Sequence, residues 1–147
     1  MHDLPRQLSV QQLAELFEGR TRFVERLAEL DDPFGQARAV AATLSDEERK
    51  EALDAHPAIG ASELSPRSAA EQGGGGGDPE VLAELAELNR AYEERFGFRF
   101  VVFVNRRPKH ELVPVLRARL KRTREQELET ALEELIAIAE DRWLRRS

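Results

Sequence analysis

Histidine is the side chain whose pKa best suits proton transfer near neutral pH, and this chain contains three of them. His2 lies in a terminal segment and His110 in a charged segment, which predicts that both are solvated. His56 stands between Ala55 and Pro57, and a proline restricts the residue before it to an extended backbone. A fixed backbone suits a proton-transferring imidazole. Taken alone, however, the position favours the ordinary explanation of a histidine beside the negative end of a helix dipole.

Metal and thiol chemistry are both disfavoured by the sequence. The three histidines do not have the H-E-x-x-H or H-x-H spacing of a metal pair. The chain contains no cysteine, which removes a thiol nucleophile, a thiolate ligand and a disulfide framework. We therefore expect no metal site.

Two charged residues are further candidates for chemistry. Glu71 follows Ser68 at the spacing of a capping box, which gives it an ordinary structural explanation. Arg142 comes four residues after Ile138 and seven after Leu135, so a helix would direct it along its own apolar stripe. A charge directed at a core needs a partner, which is either a buried carboxylate of the protein or an anionic ligand.

Capping residues and apolar periodicity predict four helices ahead of these candidates. Ser9, Thr21 and Ser45 each have the position of an N-cap before residues at helical spacing. A third helix is predicted over residues 35–44, behind the turn residues of DDPFG. The fourth is predicted to end at His56, because the next residue is proline.

The second half of the chain begins with the clearest helix pattern. Asp78 as N-cap and Pro79 at the first helical position start it, and Gly97 follows its apolar stripe as a C′ residue. The run FRFVVFV at 98–104 is β-prone, but a single strand has no partner in this sequence. We interpret this run as a buried extended or helical segment.

A last long helix is predicted to begin at Thr123, which has capping-box spacing with Gln126, and to carry Arg142. Pro114 leaves the bounds of the preceding helix open, since a proline deep inside would kink it. The predicted architecture is an all-α, single-domain helical bundle over residues 1–147, with no internal repeat.

Composition limits the class of protein and its partners. A chain of 147 residues with 41% hydrophobic and 34% charged residues is typical of one soluble globular domain. No apolar run approaches the roughly 20 residues that span a bilayer, and the N-terminus lacks the apolar core of a signal peptide. Together with the absence of cysteine, this predicts a cytoplasmic protein without a membrane partner. The net charge of −6 works against binding of nucleic acid.

Five consecutive glycines occupy positions 73–77. A dinucleotide fingerprint would need a sixth glycine at position 78, and a P-loop would need Lys followed by Ser or Thr, but Asp78 and Pro79 follow instead. The flanks are too short to be separate domains. We interpret the glycines as a flexible connection behind residues 68–72, while composition alone favours a loop without function.

The order of these motifs resembles the 2-oxo-4-hydroxy-4-carboxy-5-ureidoimidazoline (OHCU) decarboxylases of urate breakdown. The motifs are AHPAIG at 55–60, SAAEQ at 68–72, ELNRAYEERFGFRFVVFV at 87–104 and RTREQELETALEELIAIAEDRWLRR at 122–146. The earlier FVERLAELDDPF at 23–34 is similar to the N-terminal part of that family. The resemblance implies an all-helical homodimer and a cofactor-free decarboxylation of a small molecule, giving (S)-allantoin and carbon dioxide.

The resemblance also implies roles for individual residues. His56 and Glu71 match catalytic positions, with the histidine as acid or base. Five more residues match substrate-binding positions: Pro57, Ser68, Gln72, Phe98 and Arg142. Because the substrate carries its own conjugated C=O and C=N groups as an electron sink, neither pyridoxal phosphate nor a metal is required.

The sequence departs from the family in one place. The family more often has an acid and Leu after His-Pro, where this chain has Ala58 and Ile59, and the stretch from His56 to Ser68 is shorter than usual. An altered pocket is therefore expected, and an enzyme acting on a related ureide stays open as an alternative. A non-catalytic helical interaction module would share the composition, but it gives no reason for His-Pro, Glu-Gln and an inward arginine in this order.

Overall fold

The computed structural model describes residues 7–56, 79–104 and 107–145. Within these ranges the secondary structure is entirely helical, which confirms the predicted all-α class. The helices, in chain order, are α1 (Val10–Phe17), α2 (Arg22–Ala28), α3 (Pro33–Thr43), α4 (Asp46–Asp54), α5 (Pro79–Phe96), α6 (Lys109–Arg119) and α7 (Arg124–Arg145). None of these helices has the length and apolar composition that crossing a bilayer requires.

Four predicted N-caps are confirmed. Ser9 and Ser45 form complete capping boxes at the starts of α1 and α4. The Thr21 hydroxyl accepts a hydrogen bond from a backbone N–H of α2. Thr123 and Gln126 exchange reciprocal bonds of 3.1 Å at the start of α7. These bonds satisfy N–H groups that have no partner inside the helix, which fixes where each helix begins.

Two predicted helix bounds were wrong by two residues each. α3 begins at Pro33, because the Asp32 side chain accepts from the Gly35 N–H and acts as the N-cap. α4 ends at Asp54, with Ala55 as its C-cap, so His56 stands just outside the helix. The helix therefore ends two residues before His56, which is the residue that the following proline restricts.

The longest helix, α7, is the centre of the packing. It contacts α1, α3 and α4. The same three helices also contact α2, and α5 packs against α6. The residues after α5, at 97–104, are neither helix nor strand. Five of them are buried in the core: Phe98, Phe100, Val101, Val102 and Val104. This confirms the prediction of a buried segment that does not seed a sheet.

A fully buried carboxylate, that of Glu127, ties this segment to three helices. It accepts hydrogen bonds from the Tyr92 hydroxyl at 2.6 Å, from Arg119 Nε at 2.7 Å and from Arg122 Nη1 at 2.9 Å. Arg119 Nη1 also donates to the carbonyl oxygen of Val101 at 2.7 Å. A buried carboxylate with several charge-assisted donors keeps its neighbours in one arrangement. The network thus anchors the 97–104 segment, at Val101, to the helices around it.

Candidate active site

His56 is buried at the end of α4. The residue is 7% exposed, and its Nδ1 atom has no hydrogen-bond partner among the described residues. Buried polar atoms are rarely left without a partner, so each one calls for an explanation. A nitrogen in this state can accept a proton from, or donate one to, a group that approaches from outside the described part of the chain.

The backbone of His56 is held by Arg99. Arg99 Nη1 donates to the carbonyl oxygen of His56 at 2.8 Å, and the Arg99 backbone N–H donates to Asp54 Oδ1 at 3.0 Å. The His56 N–H itself donates to the carbonyl oxygen of Leu53 at 3.1 Å. Arg99 therefore holds the backbone of His56 at the end of α4. This adds to the restriction that Pro57 places on the backbone conformation of His56.

Arg142 lies on the buried face of α7, as its spacing predicts. It is 3% exposed, and it follows the buried Leu135 and Ile138 on that helix. Its Nη1 donates to the carbonyl oxygen of Leu16 at 2.9 Å, and its Nη2 lies 3.1 Å from Glu18 Oε1. The structure thus identifies a carboxylate of the protein as one partner of this buried charge.

Glu18 was missed by sequence reasoning. It is the C-cap of α1, its N–H donates to Ala14, and its backbone is left-handed with φ 65°. From the sequence alone, the adjoining Gly19 would be the expected left-handed residue. In the structure, Gly19 instead allows α1 and Ala55 to pack closely, because a Cβ at Gly19 would lie 2.9 Å from the Cβ of Ala55. The end of α1 therefore packs directly against the residue that precedes His56.

The charges around His56 set its protonation. The pKa of His56 is lowered to about 4, mainly by burial. The guanidinium groups of Arg142 and, less strongly, of Arg99 also lower it, while the carboxylate of Glu18 opposes them. The imidazole is therefore neutral near pH 7 and able to accept a proton. Each guanidinium group also has a carboxylate partner: Glu18 Oε1 lies 3.1 Å from Arg142 Nη2, and Glu93 Oε1 lies 3.9 Å from Arg99 Nη2.

Phe98 belongs to a buried aromatic cluster. Its ring is 5.9 Å from that of Tyr92 in a T-shaped arrangement and 6.0 Å from that of Phe96, and the guanidinium carbon of Arg124 lies 5.5 Å from its centroid. These contacts explain its burial by packing alone. Contact between Phe98 and a substrate stays a prediction.

The remaining predicted site residues lie outside the described ranges. These are Pro57, Ser68, Glu71, Gln72 and the glycines at 73–77. The structure therefore describes the candidate site around His56 and Arg142, and the roles of the other residues stay predictions. Within the described ranges, no group of three or more histidine, cysteine or carboxylate side chains could hold a metal ion.

A groove of about 500 Å³ lies elsewhere, between α3, α4 and α7. Arginines and glutamates line it together, among them Arg38, Arg49, Glu129 and Glu133. His56 and Arg142 do not line it. Because its charges are mixed and it holds none of the predicted site residues, we place the candidate site at His56.

Comparison with known sequences identifies the family of the chain. The sequence model of the family described as OHCU decarboxylase matches residues 2–144. The uric acid degradation bifunctional protein PucL of Bacillus subtilis is 33% identical over 138 residues, which are 86% of this chain and 28% of PucL. The chain thus spans between a quarter and a third of that relative. The 2-oxo-4-hydroxy-4-carboxy-5-ureidoimidazoline decarboxylase of Haloferax volcanii is 29% identical over 131 residues, covering 86% of this chain and 78% of that protein.

The fold agrees as well. The crystal structure of an OHCU decarboxylase in the presence of (S)-allantoin matches with a TM-score of 0.74 and 26% identity, over 90% of this chain and 94% of that one. The helical architecture is therefore shared over nearly the whole length of both chains. The chain belongs to the OHCU decarboxylase family.

Proposed function

We propose that this protein decarboxylates OHCU to (S)-allantoin and carbon dioxide in the breakdown of urate. The observation that carries the proposal is the buried, neutral His56 beside the guanidinium groups of Arg142 and Arg99. This is a proton acceptor beside two guanidinium groups, which can bind the carboxylate and the other polar groups of OHCU. Family membership supports the same reaction, and two relatives are named for this decarboxylation and for uric acid degradation.

The reaction needs the substrate to be positioned and protons to be moved to and from it. When the bond to the carboxylate breaks, its electron pair moves into the conjugated C=N group of the ring and carbon dioxide leaves. The ring nitrogen that received the electron pair takes up one proton from solvent, which leaves a neutral enol. The enol becomes a ketone when its hydroxyl proton is removed and a proton is added to one face of the neighbouring carbon. In this proposal His56 handles the hydroxyl and the proton, because a neutral imidazole can accept and then return it.

The other residues orient the substrate. Arg142 and Gln72 bind the polar groups at the edge of the substrate, and Glu71 forms hydrogen bonds with its ring or ureido nitrogens. The remaining residues that line the pocket are Pro57, Ser68 and Phe98. Their roles rest on the sequence resemblance, and Arg142 is supported by its place near His56. Orientation of a reactive group inside a closed site supplies a large share of the rate in reactions of this kind.

Freshly generated OHCU provides the test. We expect the protein to raise the rate of allantoin formation above the spontaneous rate and to give the S enantiomer, followed by circular dichroism. Racemic allantoin at the spontaneous rate would contradict the proposal and favour a helical interaction module. Turnover of a related ureide in preference to OHCU would instead point to the pocket change at Ala58 and Ile59.

We further propose that the chain is one catalytic domain that works as a homodimer in the cytoplasm. The dimer and the single domain rest on the family resemblance, and the location on the absence of cysteine. Light scattering on the purified protein should give about twice the chain mass of 16.7 kDa. A mass equal to one chain at micromolar concentration would contradict the dimer.

A further inference from the structure

The end of α1 supplies two acceptors to one buried guanidinium group. Leu16 offers its carbonyl oxygen to Arg142 Nη1 at 2.9 Å, and Glu18 offers a carboxylate oxygen 3.1 Å from Nη2. The side chain of Arg142 is 1% exposed and that of Glu18 is 16% exposed, so water screens this pair little. Both ends of the guanidinium fork are therefore fixed by a helix that lies far from α7 in the sequence.

Glu18 holds this place in a costly backbone conformation. With φ 65° and ψ 18° it is left-handed, a conformation that is unfavourable for residues other than glycine because Cβ comes too close to the following carbonyl oxygen. A glycine directly follows it, yet the left-handed position falls on the residue that bears the carboxylate. Strain of this kind persists where the surroundings require it, and such residues cluster at functional sites.

The same carboxylate acts on His56. Glu18 raises the pKa of the imidazole, in opposition to burial and to the guanidinium groups of Arg142 and Arg99. The close approach of Gly19 to Ala55 keeps the end of α1 against the residue next to His56. One carboxylate thus influences both the direction of a guanidinium fork and the basicity of an imidazole.

We propose that Glu18 is a positioning residue of this site, which fixes the fork of Arg142 beside His56 and offsets part of the guanidinium charge on the imidazole. The proposal rests on the proposed function, in which Arg142 binds the substrate and His56 transfers the proton. It assigns Glu18 no contact with the substrate.

Glu18→Gln tests the proposal, with Glu15→Gln as the matched control. Both changes remove one negative charge from α1, but Glu15 is exposed on that helix. We expect KM for OHCU to rise about tenfold in Glu18→Gln, the effect of losing one charge-assisted hydrogen bond worth about 1.4 kcal/mol. Glu15→Gln should match the wild type.

Nuclear magnetic resonance of the three histidines gives a second readout that does not depend on activity. The His56 signal, assigned with His56→Asn, should titrate at lower pH in Glu18→Gln than in the wild type or in Glu15→Gln, because a nearby negative charge is lost. A midpoint equal to that of Glu15→Gln would overturn the proposal, even if the protein proved to have no decarboxylase activity.

Glu18→Asn and Glu18→Asp keep the test decisive if Glu18→Gln does not fold. Both side chains tolerate the left-handed backbone and have the same size, so they differ mainly in charge. We expect the lower His56 midpoint in Glu18→Asn and a midpoint near the wild type in Glu18→Asp. Equal midpoints in the two variants, or a KM that changes only with thermal stability, would reduce Glu18 to a structural role.

Discussion

Arg99 and His56 are joined by a hydrogen bond of 2.8 Å from the guanidinium Nη1 to the backbone carbonyl oxygen. The two residues are 43 positions apart in the sequence. The bond anchors the backbone from which the imidazole projects, while its Nδ1 finds no partner among the described residues. The backbone of the candidate catalytic residue is thus fixed, while its buried Nδ1 is left for a hydrogen bond or a proton transfer to a group outside the described residues.

Replacement of His56 by Asn tests its catalytic role. Asn keeps some hydrogen bonding but cannot transfer a proton near neutral pH, so kcat should fall by about 10²- to 10⁴-fold. The melting temperature should change little, since Arg99 holds the backbone and not the ring. Steady-state kinetics and thermal unfolding on the same preparation check this. Normal turnover, or an unfolded variant, would remove His56 from the catalytic role.

The low pKa of His56 also predicts how stability depends on pH. The unfolded imidazole has its ordinary pKa of 6.5 and the folded one a pKa of about 4, so between these values the unfolded state binds more protons. The stabilising contribution is complete above pH 6.5 and is lost as the pH falls toward 4. Between pH 7 and pH 5 the wild type should lose about 2 kcal/mol of unfolding free energy through this group.

His56→Asn is the control for this pH dependence. Other titrating groups are common to both proteins, so the difference between wild type and variant isolates the imidazole. Urea unfolding at pH 7 and pH 5 measures it. If the two proteins lose the same unfolding free energy between these pH values, His56 is not held in the neutral form by the fold.

Helix starts could be predicted from the sequence because their signals are local. An N-cap and the residue three positions later bond to each other, so Ser9, Ser45 and Thr123 reveal their helices without knowledge of the fold. Helix ends were less predictable. α4 stops at Asp54, where a side chain from a distant part of the chain, Arg99, contacts the end of the helix.

In the candidate site, too, local features could be predicted from the sequence and long-range contacts could not. The inward direction of Arg142 follows from helical spacing alone and could be predicted. Its bonds to Leu16 and Glu18 could not, because they join residues from opposite ends of the chain and leave no local pattern. The glycine after Glu18 even suggests the wrong left-handed residue. Knowledge of which helices pack together is needed before such pairs can be found.

Gly19→Ala should damage the site through packing. The new methyl group would lie 2.9 Å from the Cβ of Ala55, and neither atom belongs to a flexible side chain. Overpacking of this kind costs about 1–3 kcal/mol, and here the shift falls next to His56. We expect lower stability together with a lower kcat, measured by urea unfolding and steady-state kinetics.

Gly35→Ala is the control for this change. The three atoms nearest to its new methyl group would all belong to the side chain of Asp32, at the start of α3 and away from His56 in the sequence. That variant should lose stability without a change in kcat. Equal effects of the two substitutions on kcat would show that the contact between Gly19 and Ala55 does not position His56.

Glu127→Gln should separate stability from catalysis. The substitution removes the charge that Arg119 and Arg122 share, and the side chain of Arg119 is only 8% exposed. Breaking a buried ion pair on one side costs about 3–5 kcal/mol, because the remaining charge has lost its partner. Turnover of the folded fraction should stay within about threefold of the wild type. A loss of turnover without a loss of stability would give Glu127 an active-site role.

Arg142 itself is expected to serve both the fold and the site. Arg142→Ala would leave Glu18 without its guanidinium partner in a largely buried position, so a stability loss of about 2–4 kcal/mol is expected. Arg142→Lys keeps the charge but cannot reproduce the fork that reaches Leu16 and Glu18 together. We expect Arg142→Lys to remain folded and to lose at least about tenfold in kcat/KM.

Arg145→Lys is the matched control on the same helix. Arg145 is exposed and pairs with Asp141 through Nε at 3.1 Å, a surface interaction worth about 0–1 kcal/mol. Its variant, like Arg146→Lys, should be close to the wild type in both assays. Denaturant unfolding beside steady-state kinetics decides the role of Arg142. A large stability loss with nearly normal catalysis in the folded fraction would assign its guanidinium to the fold alone, since a group that orients the substrate cannot lose its geometry without a change in kcat/KM.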